Sequence, residues 1–136
     1  MNHKRRRWLA AALAWTGLIL FSSTSLAAQY SERAFQRIRA WLFGAYPPEA
    51  SSGMLHFIAE KSVHLTLFFV LGVLLSRLFS GTRLRRFAQI VVTGLIVGSV
   101  SEFLQRFFPG RDPALRDVLI NLAGAALGAV ASIGRK

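Results

Sequence analysis

The chain has 136 residues, of which 53% are hydrophobic, yet it carries a formal net charge of +11 and no cysteine. Without thiols, disulfides, thiolate nucleophiles and cysteine-ligated zinc are excluded. So basic a chain raises nucleic acid as a partner, but it has no basic helix or aromatic RNA-binding motif, and none is expected. Charges come in short clusters between long uncharged runs, as bilayer-spanning chains require.

The expected fold is all-α: a polytopic membrane protein forming one domain over residues 1–136, a four-transmembrane-helix bundle with an amphipathic interfacial helix between its first two spans. The first span, Trp8 to Ala28, follows Lys4, Arg5, Arg6 and Arg7. That basic start, the apolar run and Ser25-Leu26-Ala27 also fit a cleaved signal peptide, which stands as the alternative. The interfacial helix covers about residues 31–46, with Ala34, Phe35, Ile38, Trp41, Leu42 and Ala45 on one face. Glu32, Arg33, Gln36 and Arg37 fall mostly on the other, and Trp41 and Tyr46 suit headgroup level. Pro47 and Pro48 end this helix, and Ser51, Ser52 and Gly53 read as a loop. The remaining spans are expected over residues 56–79, 87–108 and 114–133.

Basic residues set the orientation. Lys4, Arg5, Arg6, Arg7, Arg77, Arg83, Arg85, Arg86, Arg135 and Lys136 fall on one side with no acid, while all six acids accompany the other seven basic residues. The positive-inside rule therefore places both termini of this multi-pass protein in the cytoplasm.

A rise of about 1.5 Å per residue converts sequence position into depth. Counted from Arg77, His64 stands about 20 Å up and Lys61 about 24 Å. Counted from Arg86, Glu102 stands about 24 Å up, and Gln105 and Arg106 about 28 to 30 Å. Counted from Arg135, Asn121 stands about 21 Å up and Asp117 about 27 Å. Three helices thus bring polar side chains to one layer of the outer leaflet. Glu60 and His64 share a helix face, which His56 extends. Gly94, Gly98, Glu102 and Gln105 form a small-then-polar stripe, and Asp117, Asn121, Gly124 and Gly128 form a matching one. These stripes are expected to pack against each other, since small residues four apart let spanning helices approach closely.

The segments EKSVHLTLFFVLGVLL, from Glu60, and SEFLQRFFPGRDPALRDVLINLAGAALGA, from Ser101, resemble the two motif regions of VanZ-like membrane proteins. In the second, E-x-x-Q, P-G-R and D-x-x-x-N-x-x-G occur in order, and the resemblance covers about residues 56–130. Glu60-Lys61 and His64 supply the family's acid-lysine pair and histidine. Phe68 and Phe69 stand where relatives often carry a tyrosine or other polar residue. The resemblance implies a four-span cell-envelope protein and an association with reduced sensitivity to teicoplanin.

Intramembrane ionisable residues normally face inward and pair. The ligand-binding set expected here is Glu60, Lys61, His64, Glu102, Gln105, Arg106, Arg111, Asp117 and Asn121. Its ligand is an anionic lipid-linked or cell-wall-precursor group, since guanidinium and ammonium groups pair with phosphate or carboxylate. An intramembrane enzyme is the alternative, with His64, Glu102 and Asp117 as catalytic candidates and Glu60 or Asp117 orienting His64. A third reading makes the polar layer glue in an assembly protein, a homo-oligomer or part of an envelope complex. No cofactor is expected, and no metal site, although His56, Glu60 and His64 have i, i+4 spacing.

Overall fold

A computed structural model describes residues 2–44, 49–109 and 113–134. The expectations for Ala45, Tyr46, Pro47, Pro48, Arg111, Arg135 and Lys136 fall outside the described residues. The rest form five helices, α1 (His3–Ser22), α2 (Ser25–Phe43), α3 (Glu49–Leu78), α4 (Arg83–Gln105) and α5 (Leu115–Ile133). Three of them, α3 from Gly53 onward, α4 and α5, are long and apolar enough to cross a membrane, and α1 and α2 together make a fourth if the bent pair counts as one span. The chain is an all-helical, polytopic membrane protein.

The helix expected to run unbroken from Trp8 to Ala28 is divided at Ser23–Thr24, and the two parts meet at 76°. Hydroxyls compete with the helical hydrogen-bond ladder here. Ser22 Oγ donates to the Ile19 carbonyl at 2.6 Å and Thr24 Oγ1 to the Phe21 carbonyl at 2.8 Å. Thr24 then adopts an extended backbone and accepts from Ala27 N at 3.3 Å, acting as the N-cap of α2. The amphipathic helix therefore starts at Ser25, several residues earlier than its periodicity indicated. Ser51, Ser52 and Gly53, expected as a loop, lie within α3. Between α3 and α4, Gly81 turns the chain at φ 121°, a conformation that other residues rarely adopt.

Helix α5 lies at the centre, packed most extensively on α3 and next on α4. The small-residue stripes do not simply face one another. Gly94 and Gly98 of α4 do turn to α5, toward Ala125 and Asn121. Gly124 and Gly128 of α5 instead lie against the backbone of α3, where a Cβ on Gly124 would stand 2.5 Å from the Leu65 carbonyl oxygen. A Cβ on Gly128 would collide with the Phe69 carbonyl, and one on Gly72 of α3 with the Ala125 carbonyl. With bilayer on the outside, such close contact holds helices by dispersion rather than by the hydrophobic effect. At and beyond the contact, Phe68, Leu71, Leu75, Ile90, Ala125 and Ala129 form an apolar core, joined by Ala12 and Ile19 of α1.

Two longer-range bonds fix the periphery. Trp15 Nε1 of α1 donates to the Leu67 carbonyl of α3 at 2.8 Å. Arg86 of α4, counted among the surface arginines from sequence, is buried and donates through Nη2 to the Ser76 carbonyl at 2.8 Å. It meets the C-terminal end of α3, where carbonyls lack helical partners and the dipole favours a cation.

The packing predicts unequal responses to added methyl groups. Gly128→Ala should destabilise the protein by about 1–3 kcal/mol, as overpacking does. Gly17→Ala, with nothing within 4 Å of the new Cβ, should be neutral or mildly stabilising. Denaturant titration in detergent, followed by circular dichroism, reads both.

Candidate functional site

Three helices deliver their polar side chains to the end of the bundle where α1 gives way to α2. Lys61 of α3 reaches Asp117 of α5, Nζ to Oδ2 at 2.8 Å, with the two side chains 11% and 5% exposed. Glu60 adds a second, looser contact to the same ammonium at 3.5 Å. One turn along, His64 Nδ1 lies 3.2 Å from Asn121 Oδ1. An amide oxygen only accepts, so in this arrangement Nδ1 donates and, in a neutral ring, Nε2 is left as acceptor. Asn121 is thus a hydrogen-bond partner of the imidazole.

The α4 residues form an adjoining group. Glu102 Oε1 accepts from Gln105 Nε2 at 3.3 Å, and Glu102 Oε2 accepts from the backbone N–H of Ala114 at 3.3 Å. The second bond does the work of an N-cap, because Ala114 has no capping side chain of its own. Glu102 and Gln105 are both buried. At the same level Ser101 Oγ meets Ser23 Oγ at 2.6 Å, which ties the end of α1 to the layer.

Not every expected member joins this arrangement. Arg106 caps the end of α4 and is exposed, its guanidinium 6.0 Å from the Phe103 ring centre. Arg111 lies outside the described residues. Arg116 is 66% exposed, stands 3.9 Å from Asp117 and faces the Phe57 ring at 5.1 Å. Lys61 faces the same ring at 5.5 Å. His56, aligned by sequence with Glu60 and His64, contacts Glu32 of α2 at 3.3 Å and the edge of Phe35 at 5.0 Å. Among the described residues no three His, Asp or Glu side chains converge as a metal site would need. The partnership of Ser23 with Ser101 was missed by sequence reasoning, because serine on an apolar helix carries no signal of its own.

A cleft of about 890 Å³ opens between α2 and the bundle beside these residues. Its polar lining includes Arg33, Lys61, His64, Gln105, Arg116 and Asp117. The apolar lining comes from Phe35 and Ile38 of α2 and from Ala59 and Val63 of α3. The three described lining acids are engaged within the protein, Glu32 with Gln36 and His56, and Glu60 and Asp117 with Lys61. Four buried polar atoms make no hydrogen bond among the described residues: Asp117 Oδ1 and Asn121 Nδ2 in this layer, and Arg86 Nε and Gln89 Oε1 on α4.

Spanning helices around a buried polar layer define a multi-pass helical membrane protein. The chain belongs to the VanZ/LLP1 family, whose model matches residues 8–134, nearly its full length. No curated protein and no solved structure matches it.

The Lys61–Asp117 contact predicts a non-additive pair. Lys61→Met or Asp117→Leu alone should destabilise by about 1–3 kcal/mol, because each leaves a buried charge with only its looser partner, Arg116 for Asp117 and Glu60 for Lys61. The double substitution should recover most of that loss, as a double-mutant cycle of unfolding free energies in detergent would show.

Proposed function

We propose that this protein binds an amphipathic anion, a lipid-linked phosphate or carboxylate of the bacterial cell envelope, in the cleft between α2 and α3. The observation that carries this reading is the mixed lining of the cleft. The basic side chains Arg33, Lys61 and Arg116 line it together with apolar Phe35, Ile38, Ala59 and Val63, while the lining acids Glu32, Glu60 and Asp117 have partners within the protein. A charged headgroup paired with the guanidinium groups would leave its hydrocarbon against the apolar side chains, continuous with the bilayer. In this reading Lys61, Asp117, His64, Asn121, Glu102 and Gln105 hold the wall of the site, and the exposed Arg116 makes the direct contact.

Orientation belongs to the same proposal. With the basic ends of the helices in the cytoplasm, the polar layer lies in the outer leaflet of the inner membrane. Lipid-linked wall precursors present phosphate groups at that depth. A protein that held such a precursor would lower what is accessible to teicoplanin, which connects the cleft with the phenotype associated with the family's founding member. His64 with its Asn121 bond favours a second reading, an intramembrane enzyme in which Nε2 takes a proton from the bound lipid. Turnover of a lipid substrate, lost in His64→Ala, would separate that reading from binding alone.

Lipids retained by gently purified protein, identified by mass spectrometry, test the binding proposal. Wild type should carry an isoprenoid- or acyl-linked anion, and Arg116→Ala should lower its occupancy about tenfold, the loss expected of one charge-assisted contact. Stability should stay within about 0.5 kcal/mol, since the side chain is on the surface. Equal occupancy in wild type and variant would refute the assignment.

A further inference from the structure

The opposite end of the bundle carries a second cleft, of about 670 Å³, where the start of α1 meets the end of α3. Lys4, Arg5 and Arg77 line it together with Trp8, Leu78 and Phe79, and no acidic residue is among its described lining. We propose that this cleft holds the phosphate headgroup of an anionic phospholipid from the leaflet opposite the polar layer.

Charge, geometry and apolar surface agree on that occupant. Three cations without an acid would repel one another in an empty cleft, and an anion removes the repulsion. The Arg77 guanidinium lies 5.9 Å from the centre of the Trp8 ring. A cation–π contact at this range draws the guanidinium to the ring, and a guanidinium also forms the paired bonds that phosphate accepts. Asn2 caps α1 by accepting from Lys4 N, and the first turn contains no acid, so the positive dipole end of the helix meets no carboxylate beside the same cleft. Leu78 and Phe79 complete the wall with apolar surface, which suits the glycerol and upper acyl carbons of a lipid and offers nothing to free phosphate. Trp8 belongs to the aromatic class that settles at headgroup level. The site is separate from the one proposed above. Arg77 and Lys61 are sixteen residues apart on one helix, which is about 24 Å.

Full-length protein in detergent, titrated with phosphatidylglycerol, phosphatidylcholine or inorganic phosphate and read by native mass spectrometry, tests the assignment. Wild type should prefer phosphatidylglycerol to phosphatidylcholine by at least about tenfold, and the bound lipid should raise the helical melting temperature. The triple variant Lys4→Gln, Arg5→Gln, Arg77→Gln should weaken phosphatidylglycerol binding by about a hundredfold, about fivefold for each basic residue. A control with equal charge removed from the same end outside the cleft, Arg6→Gln, Arg7→Gln, Arg83→Gln, should lose less than about fivefold. Should the triple variant fail to fold, Arg77→Gln alone serves, and unchanged binding in it would overturn the site. Equal losses in the two triple variants would overturn it as well, showing diffuse surface attraction only. Inorganic phosphate binding as tightly as the lipid would overturn the lipid assignment.

Discussion

Close backbone contact between α3 and α5 is the constraint on which the rest depends. Gly72, Gly124 and Gly128 bring the two helices near enough for Lys61 to reach Asp117 and for His64 to reach Asn121. The dependence is mutual. An isolated ammonium or carboxylate at this depth is costly, and pairing lowers that cost only when the geometry is good. Helices held a methyl group further apart would lose both contacts together. The glycines and the polar residues are therefore one device, spread along α5 with its small residues below and its polar ones above.

The bundle is consequently divided along its length. Its upper part holds the paired charges, the histidine–asparagine contact and the serine pair. Its lower part is an apolar core of Phe68, Leu71, Leu75, Ile90 and small alanines, with Ser76, Arg86 and Ser132 buried beside it. The break at Ser23–Thr24 releases α2 from the bundle at the level of Ser101 and leaves room for the upper cleft.

Exposed apolar side chains fit a bilayer-embedded architecture. Trp41 is 83% exposed on α2, and Leu13, Phe103, Leu119 and Val130 are exposed on the spanning helices. In water such surface would signal aggregation or an interface. In a bilayer it is the surface that meets lipid.

How much of this was legible in the sequence follows from which forces act locally. Apolar runs of spanning length, the sidedness of arginine and lysine, and the polar residues at one depth all arise from partition between water and hydrocarbon, which depends on composition and helical rise. The helical class and the burial of His64, Glu102, Asp117 and Asn121 follow from those features, and the conserved-spacing resemblance around Glu102 to Gly124 pointed to the right family. Hydroxyl clusters such as Ser22-Ser23-Thr24 also carry a local signal, although apolar periodicity hid the break they make. Partner choice was decided only by tertiary structure. Gly124 could pack on α4 or α3, His64 could face a carboxylate or an amide, and Arg86 could seek water or a helix end. Each alternative satisfies the same local rules, and only the placement of a second helix, distant in sequence, decides among them.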